Sequence, residues 1–189
     1  MTKPHFRIEN GYLCDVEICH SPNYDERPLN VLPRLIVIHS ISLPPGEFGG
    51  SNVHQLFTNE LDFDEHPFYS KIRGLKVSSH FFLDRLGRVT QFVSCLKRAW
   101  HAGESEWRGE SNCNNFSIGI ELEGADTGGF ASDQYASLKY LCLALVDCYP
   151  IEAALGHSHI AVPKGRKQDP GDEFNWAELS GLGLIETPS

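Results

Sequence analysis

The chain has 189 residues, 41% hydrophobic and 22% charged, a balance that fits one folded domain over 1–189 and excludes a disordered segment. Its formal net charge of -9 excludes a general nucleic-acid binder, which needs a basic surface for phosphate. No run approaches the ~18 apolar residues of a membrane span, and the opening stretch MTKPHFRIENGYLCDVEICHSPNYDERP has no signal-peptide core, so a cytoplasmic protein is expected.

In chain order, RLIVIHS (34–40) is a β-branched run that ends in a histidine and reads as a strand. Ser51 to Asn59 reads as a helix. VSSHFFLD (77–84) and RVTQFVS (88–94) flank the turn Arg85-Leu86-Gly87, which predicts a hairpin. FSIGIELEG (116–124) alternates Ile118, Ile120 and Leu122 against Gly119, Glu121 and Glu123, the period of a strand. The clearest helix is 132–148, capped by Ser132 or Asp133, with Tyr135, Leu138, Leu141, Cys142 and Leu145 at helical spacing; Tyr149-Pro150 stops it. ALGHSHIAV (154–162) is a weaker strand signal, and a short helix follows Asn175. Together these predict a mixed α/β domain, a central sheet flanked by helices. None of the six cysteines forms a C-x-x-C pair, so reduced thiols are expected rather than a four-cysteine zinc site.

Metal-capable residues fall where strands end or loops begin: His39, then His157 or His159, then Asp169. Two neutral imidazoles and a carboxylate, with a fourth position left to water, form a catalytic zinc pattern. The bland alternative is a set of scattered surface and core histidines. Glu121 and Glu123 share one strand face. If that face is buried, a carboxylate there is costly unless functional, and burial would tune it toward general-base work. If it meets solvent, neither has a role. Lys167 lies two positions before Asp169, where a cation could stabilise an oxyanion or simply belong to a solvated basic loop. Ser40 and Ser42 lack a G-x-S-x-G elbow, and Cys113 has no neighbouring base, so neither reads as a nucleophile.

VIHSISLPPGEFGG (37–50), KRAWHAG (97–103), CNNFSIGIELEG (113–124) and GHSHIAVPKGRKQDPG (156–171) resemble, in order, the zinc amidases related to peptidoglycan-recognition proteins. The likeness runs from about His20 to Trp176, and SLPPGEFGG points to a cytoplasmic member. It implies a mixed sheet with helices around it and one zinc ion held by His39, His157 and Asp169. It implies Glu121 as general base and acid and Lys167 as oxyanion stabiliser. The implied reaction cuts the amide between the lactyl group of 1,6-anhydro-N-acetylmuramic acid and L-alanine in muropeptides, during cell-wall recycling. The implied partner is that anhydromuropeptide, with no nucleic acid, membrane span or obligate protein partner. Trp100 and His101 match a block along the sugar groove. Lys76 and Asn112 fall where the family places ligand-binding arginines, so here the pattern departs. A binding module that does not cut, or an amidase of intact peptidoglycan, are the rival readings. The latter would carry an anchor or signal near Met1-Thr2-Lys3-Pro4.

The family motif G-H-x-x-I-A-P-x-R-K-x-D-P-G leaves the second histidine open. His157 matches its first half, while two extra residues give His159 the usual distance to Asp169. On a strand both would point the same way. His157 is preferred, because a loop absorbs two residues more readily than a strand changes register.

Overall fold

The computed structural model describes residues 6–125 and 128–188, so Met1-Thr2-Lys3-Pro4 lies outside the described residues. Six strands form the main sheet: β1 (Glu17–Ile18), β2 (Leu35–Ile41), β3 (Phe81–Leu83), β4 (Val89–Gln91), β5 (Ser117–Glu123) and β6 (Ala153–Gly156). Their order is β6-β2-β5-β3-β4-β1. The first four neighbours in that order run parallel, and β3 turns back into β4 as the predicted antiparallel hairpin. Gly87 makes that turn at φ +72°, and a Cβ there would lie 2.4 Å from the Asp133 carbonyl oxygen, so two separate constraints require glycine.

The two long central strands are buried on both faces, as parallel strands covered by helices must be. Ile36, Ile38, Ile118, Ile120 and Leu122 pack with Leu138, Leu141, Cys142 and Leu145 of helix α2 (Ser132–Cys148). Burial of each large side chain contributes about 1.5–3 kcal/mol. Leu35 and Val37 face the other side with Ala102, Phe116 and Leu155. A third apolar group joins helix α1 (Asn52–Thr58) to Phe82 and Phe92.

Two sequence expectations need correction. Helix α2 is not capped by Ser132 or Asp133: the capping position is Ala131, whose N–H donates to Gln134 Oε1 at 3.0 Å. Gln134 Nε2 then donates to the carbonyls of Leu83 and Glu123, which ties the start of the helix to the ends of β3 and β5. The stretch 154–162 is not one strand either. Pairing with β2 ends at Gly156, and His157–Ile160 form a single helical turn, α3.

Candidate metal centre and catalytic site

The site stands at the carboxyl ends of β2, β5 and β6, where open parallel sheets form their crevice. His39 is near the end of β2, Glu121 is its register partner on β5, and His157 follows the last residue of β6. Asp169 comes from the loop after α3. Asp169 backbone O accepts from Ser158 N–H at 3.0 Å, which docks that loop against the helical turn.

His39 Nδ1 and His157 Nδ1 are 3.1 Å apart, and each is 3.0 Å from Asp169 Oδ2. All three residues are buried. His157 Nε2 lies 2.9 Å from the Ala102 carbonyl oxygen. A carbonyl only accepts, so this nitrogen carries the ring proton, and Nδ1 of the neutral imidazole is a bare lone pair. That lone pair faces a carboxylate oxygen and a second imidazole nitrogen. Such an arrangement repels itself unless a cation or a shared proton lies between the donors. Two imidazoles and a carboxylate are a zinc donor set, and tetrahedral zinc with bonds of about 2.0 Å separates its ligand atoms by about 3.3 Å. The residues therefore fit the metal. Among the described residues this is the cluster of such side chains with metal-binding spacing.

Burial pushes the His39 imidazolium down to about 4, so at neutral pH the ring offers a lone pair. Burial alone would raise the Asp169 carboxyl, but the two imidazoles against it outweigh that and hold it below the usual carboxylate range. Glu121 goes the other way. Burial, then the Asp169 charge, drives its carboxyl well above the ordinary value, and Lys167 only partly opposes them. Glu121 Oε2 is buried with no hydrogen-bond partner among the described residues, a costly state for a spectator carboxylate. Its strand-face neighbour Glu123 has a structural use: it accepts from the N–H groups of Gly49 and Arg85. This strand face is therefore not simply solvent-facing: Glu123 is buried and bonded, and Glu121 is half-buried at the cavity.

Lys167 is exposed and lines the same cavity of about 250 Å³ as Glu121 and the three metal-type residues. Leu43, Phe68, Ile72 and Val77 give the same cavity an apolar wall. His159 is exposed on the far side of α3, accepts from Gly156 N–H at 3.1 Å and packs edge-on against Trp176. Two residues along a helix turn a side chain by about 200°, which is why the two histidines diverge where a strand would align them. A separate cavity of about 530 Å³ around Glu17, His54 and Asp84 shares no residue with this one.

The remaining predicted residues are dispersed. His101 lines the cavity but is buried behind His39. Lys76 is exposed beside the lining residues Leu75 and Val77. Trp100 is half-buried outside the lining, and Asn112 accepts from Arg98 at 3.0 Å beside a different cavity. Sequence reasoning missed Asn114, whose Oδ1 accepts from the N–H groups of both His101 and Ala102. Arg166 proves to be a support: its Nη2 donates to the Ala102 and Glu104 carbonyls.

The family model described as N-acetylmuramoyl-L-alanine amidase matches residues 28–172. The 1,6-anhydro-N-acetylmuramyl-L-alanine amidase AmpD of Escherichia coli is 46% identical over 180 residues, which cover 95% of this chain and 98% of that protein. The crystal structure of a selenomethionine AmpD derivative superposes with a TM-score of 0.88 at 44% identity, covering 93% of this chain and 98% of the other. The amidase AmiD from E. coli, in complex with the substrate anhydro-N-acetylmuramic acid-L-Ala-D-gamma-Glu-L-Lys, gives a TM-score of 0.60 at 26% identity, covering 98% of this chain and 68% of its own. Among the described residues no helix is long and apolar enough to cross a membrane.

Proposed function

The chain belongs to the N-acetylmuramoyl-L-alanine amidase family, and on that footing we propose that it hydrolyses the amide between the lactyl group of 1,6-anhydro-N-acetylmuramic acid and L-alanine in muropeptides. The setting in this reading is cytoplasmic cell-wall recycling, and residues 1–189 act as one amidase domain. The observation that carries it is the convergence of His39, His157 and Asp169 beside a half-buried Glu121 and a cationic Lys167 on one cavity. The substrate end is supported by the likeness to AmpD, a 1,6-anhydro-N-acetylmuramyl-L-alanine amidase that aligns along almost its whole length.

In this reading His39, His157 and Asp169 hold one zinc ion. Bound there, zinc supplies a Lewis acid for the amide carbonyl and lowers the pKa of water toward 7. Glu121 is made basic by burial and by Asp169, so it accepts a proton from the attacking water and returns it to the departing alanine nitrogen. Lys167 places its ammonium group by the carbonyl oxygen as negative charge gathers there. The apolar wall restricts water around the reacting amide and so strengthens both electrostatic effects.

Mass spectrometry of products from anhydromuropeptide tests the reading. Free peptide should appear, vanish with a chelator and return with zinc. Intact fragment retained by metal-loaded protein, with no peptide released, would make this a binding module and overturn the proposal.

A further inference from the structure

One dipeptide, His101-Ala102, touches the outer nitrogen of both histidines in the cluster. The Ala102 carbonyl takes the proton of His157 Nε2 at 2.9 Å. The His101 side chain places Nδ1 at 2.9 Å from His39 Nε2 and Nε2 at 3.0 Å from Ser117 Oγ. Asn114 Oδ1 holds the dipeptide by accepting from His101 N–H at 3.2 Å and Ala102 N–H at 2.8 Å. The His101 ring crowds the backbone of β5: a Cβ on Gly119 would come within 2.6 Å of its Cγ. Gly119 has no positive φ, so close approach, not backbone conformation, is what demands glycine there.

We propose that His101 is a positioning residue that aims His39 at the metal, through a relay from His39 to His101 to Ser117 whose direction is fixed when His39 Nδ1 is a ligand. This rests on the reading that His39, His157 and Asp169 hold the ion. A ligating Nδ1 leaves the His39 ring proton on Nε2. His101 must then accept at Nδ1, and its own proton sits on Nε2 and goes to Ser117 Oγ. Metal-bound histidines usually give their outer N–H to a carboxylate, carbonyl or water. Here a second histidine takes it, and a glycine on the adjacent strand makes room for that ring. The arrangement also explains why one short segment controls both imidazoles: the side chain of residue 101 sets His39 while the carbonyl of residue 102 sets His157.

The test is zinc affinity, measured by competition with a chromophoric chelator, in the parent chain and in His101→Phe, His101→Asn and Ser117→Ala. Phe keeps the ring and removes the acceptor, and Asn restores an acceptor near the place of Nδ1. His101→Phe should bind zinc ~10- to 100-fold more weakly, with His101→Asn recovering most of the loss. A folded His101→Phe that binds within about threefold of the parent would overturn the inference. If His101→Phe fails to fold, Ser117→Ala decides: a loss beyond about threefold supports the relay, and unchanged affinity overturns it. A parent chain that binds no zinc would instead sink the metal reading itself, so the two failures are distinguishable.

Discussion

Glu121 stands directly opposite His39 on the adjacent parallel strand, so a carboxyl group and a metal-type imidazole share one face at one height. Pairing of β2 with β5 sets this spacing, not any loop. The stability cost of the pairing is legible in Glu121, whose carboxyl is pushed well above its ordinary value by burial and by Asp169.

The first prediction follows from that cost. A folded-state pKa raised above the unfolded one means the carboxyl adds to stability below the unfolded pKa, and that this is lost as pH rises through the folded pKa. At neutral pH, then, the metal-free parent carries a penalty that Glu121→Gln removes. The variant should be more stable by about 1 kcal/mol, roughly 2–4 °C in Tm for a chain of this size. The gap should close as pH falls toward 4.5, the ordinary carboxyl value. The same variant should keep its metal and lose ~100- to 10,000-fold in kcat. Thermal melts at pH 5 and 8 check the first part; a parent that is the more stable at both would contradict it.

Lys167→Ala addresses the other half of the chemistry. Lys167 lines the site cavity, and the metal-type cluster is made of His39, His157 and Asp169. Zinc content should therefore stay at the parent level while kcat falls ~100- to 1,000-fold, the usual loss for one oxyanion donor. Near-normal kcat with full metal would remove Lys167 from the reaction.

Much of the fold is legible in the sequence, for identifiable physical reasons. The strands over 34–40 and 116–124 and the helix over 132–148 announce themselves through β-branched runs and long periodic patterns. The four-residue turn His157–Ile160 has no such signal, because one turn is too short to repeat. The two-residue strands near the amino end, such as Ile8–Glu9 and Glu17–Ile18, are set by their partners rather than by their own residues. His101 was visible as a candidate, but its place behind His39 depends on a contact across 62 residues of chain, which no local pattern encodes. Gln134 caps α2 from inside the helix, a position that the search for Ser132 or Asp133 overlooks.

The choice between the two neighbouring histidines can now be put to a direct measurement. His157 Nδ1 faces His39 and Asp169, whereas His159 Nδ1 is occupied by the Gly156 N–H. His157→Ala should abolish stoichiometric zinc, and His159→Ala should retain it. Zinc analysis of both purified variants decides, and loss of metal from His159→Ala alone would reverse the assignment.

Two segments that follow β1 and β2 should differ sharply in dynamics, and the first of them carries a short strand, Tyr24–Glu26, paired with Lys97–Ala99. Segment 21–27 is nailed down: Asn23 Nδ2 donates to the Phe57 and Val77 carbonyls, and Arg27 donates to the carbonyls of Cys95, Asn114, Asn115 and Ser117. Burial lowers the Arg27 pKa to about 10, so the guanidinium is still charged at neutral pH and its bonds are charge-assisted. Residues 45–50 are exposed, and their side-chain tie to the sheet runs through Gly49 N–H to Glu123. Amide exchange should thus be much faster over 45–50 than over 21–27. Arg27→Met leaves those carbonyls to find water in a half-buried site, at a cost of about 2–4 kcal/mol. Because Arg27 holds the segment leading into β5, the loss should appear as a lower urea midpoint at unchanged slope. A variant within about 0.5 kcal/mol of the parent would mean that the guanidinium does not hold this side of the site in place, and equal exchange in both segments would contradict the predicted difference in dynamics.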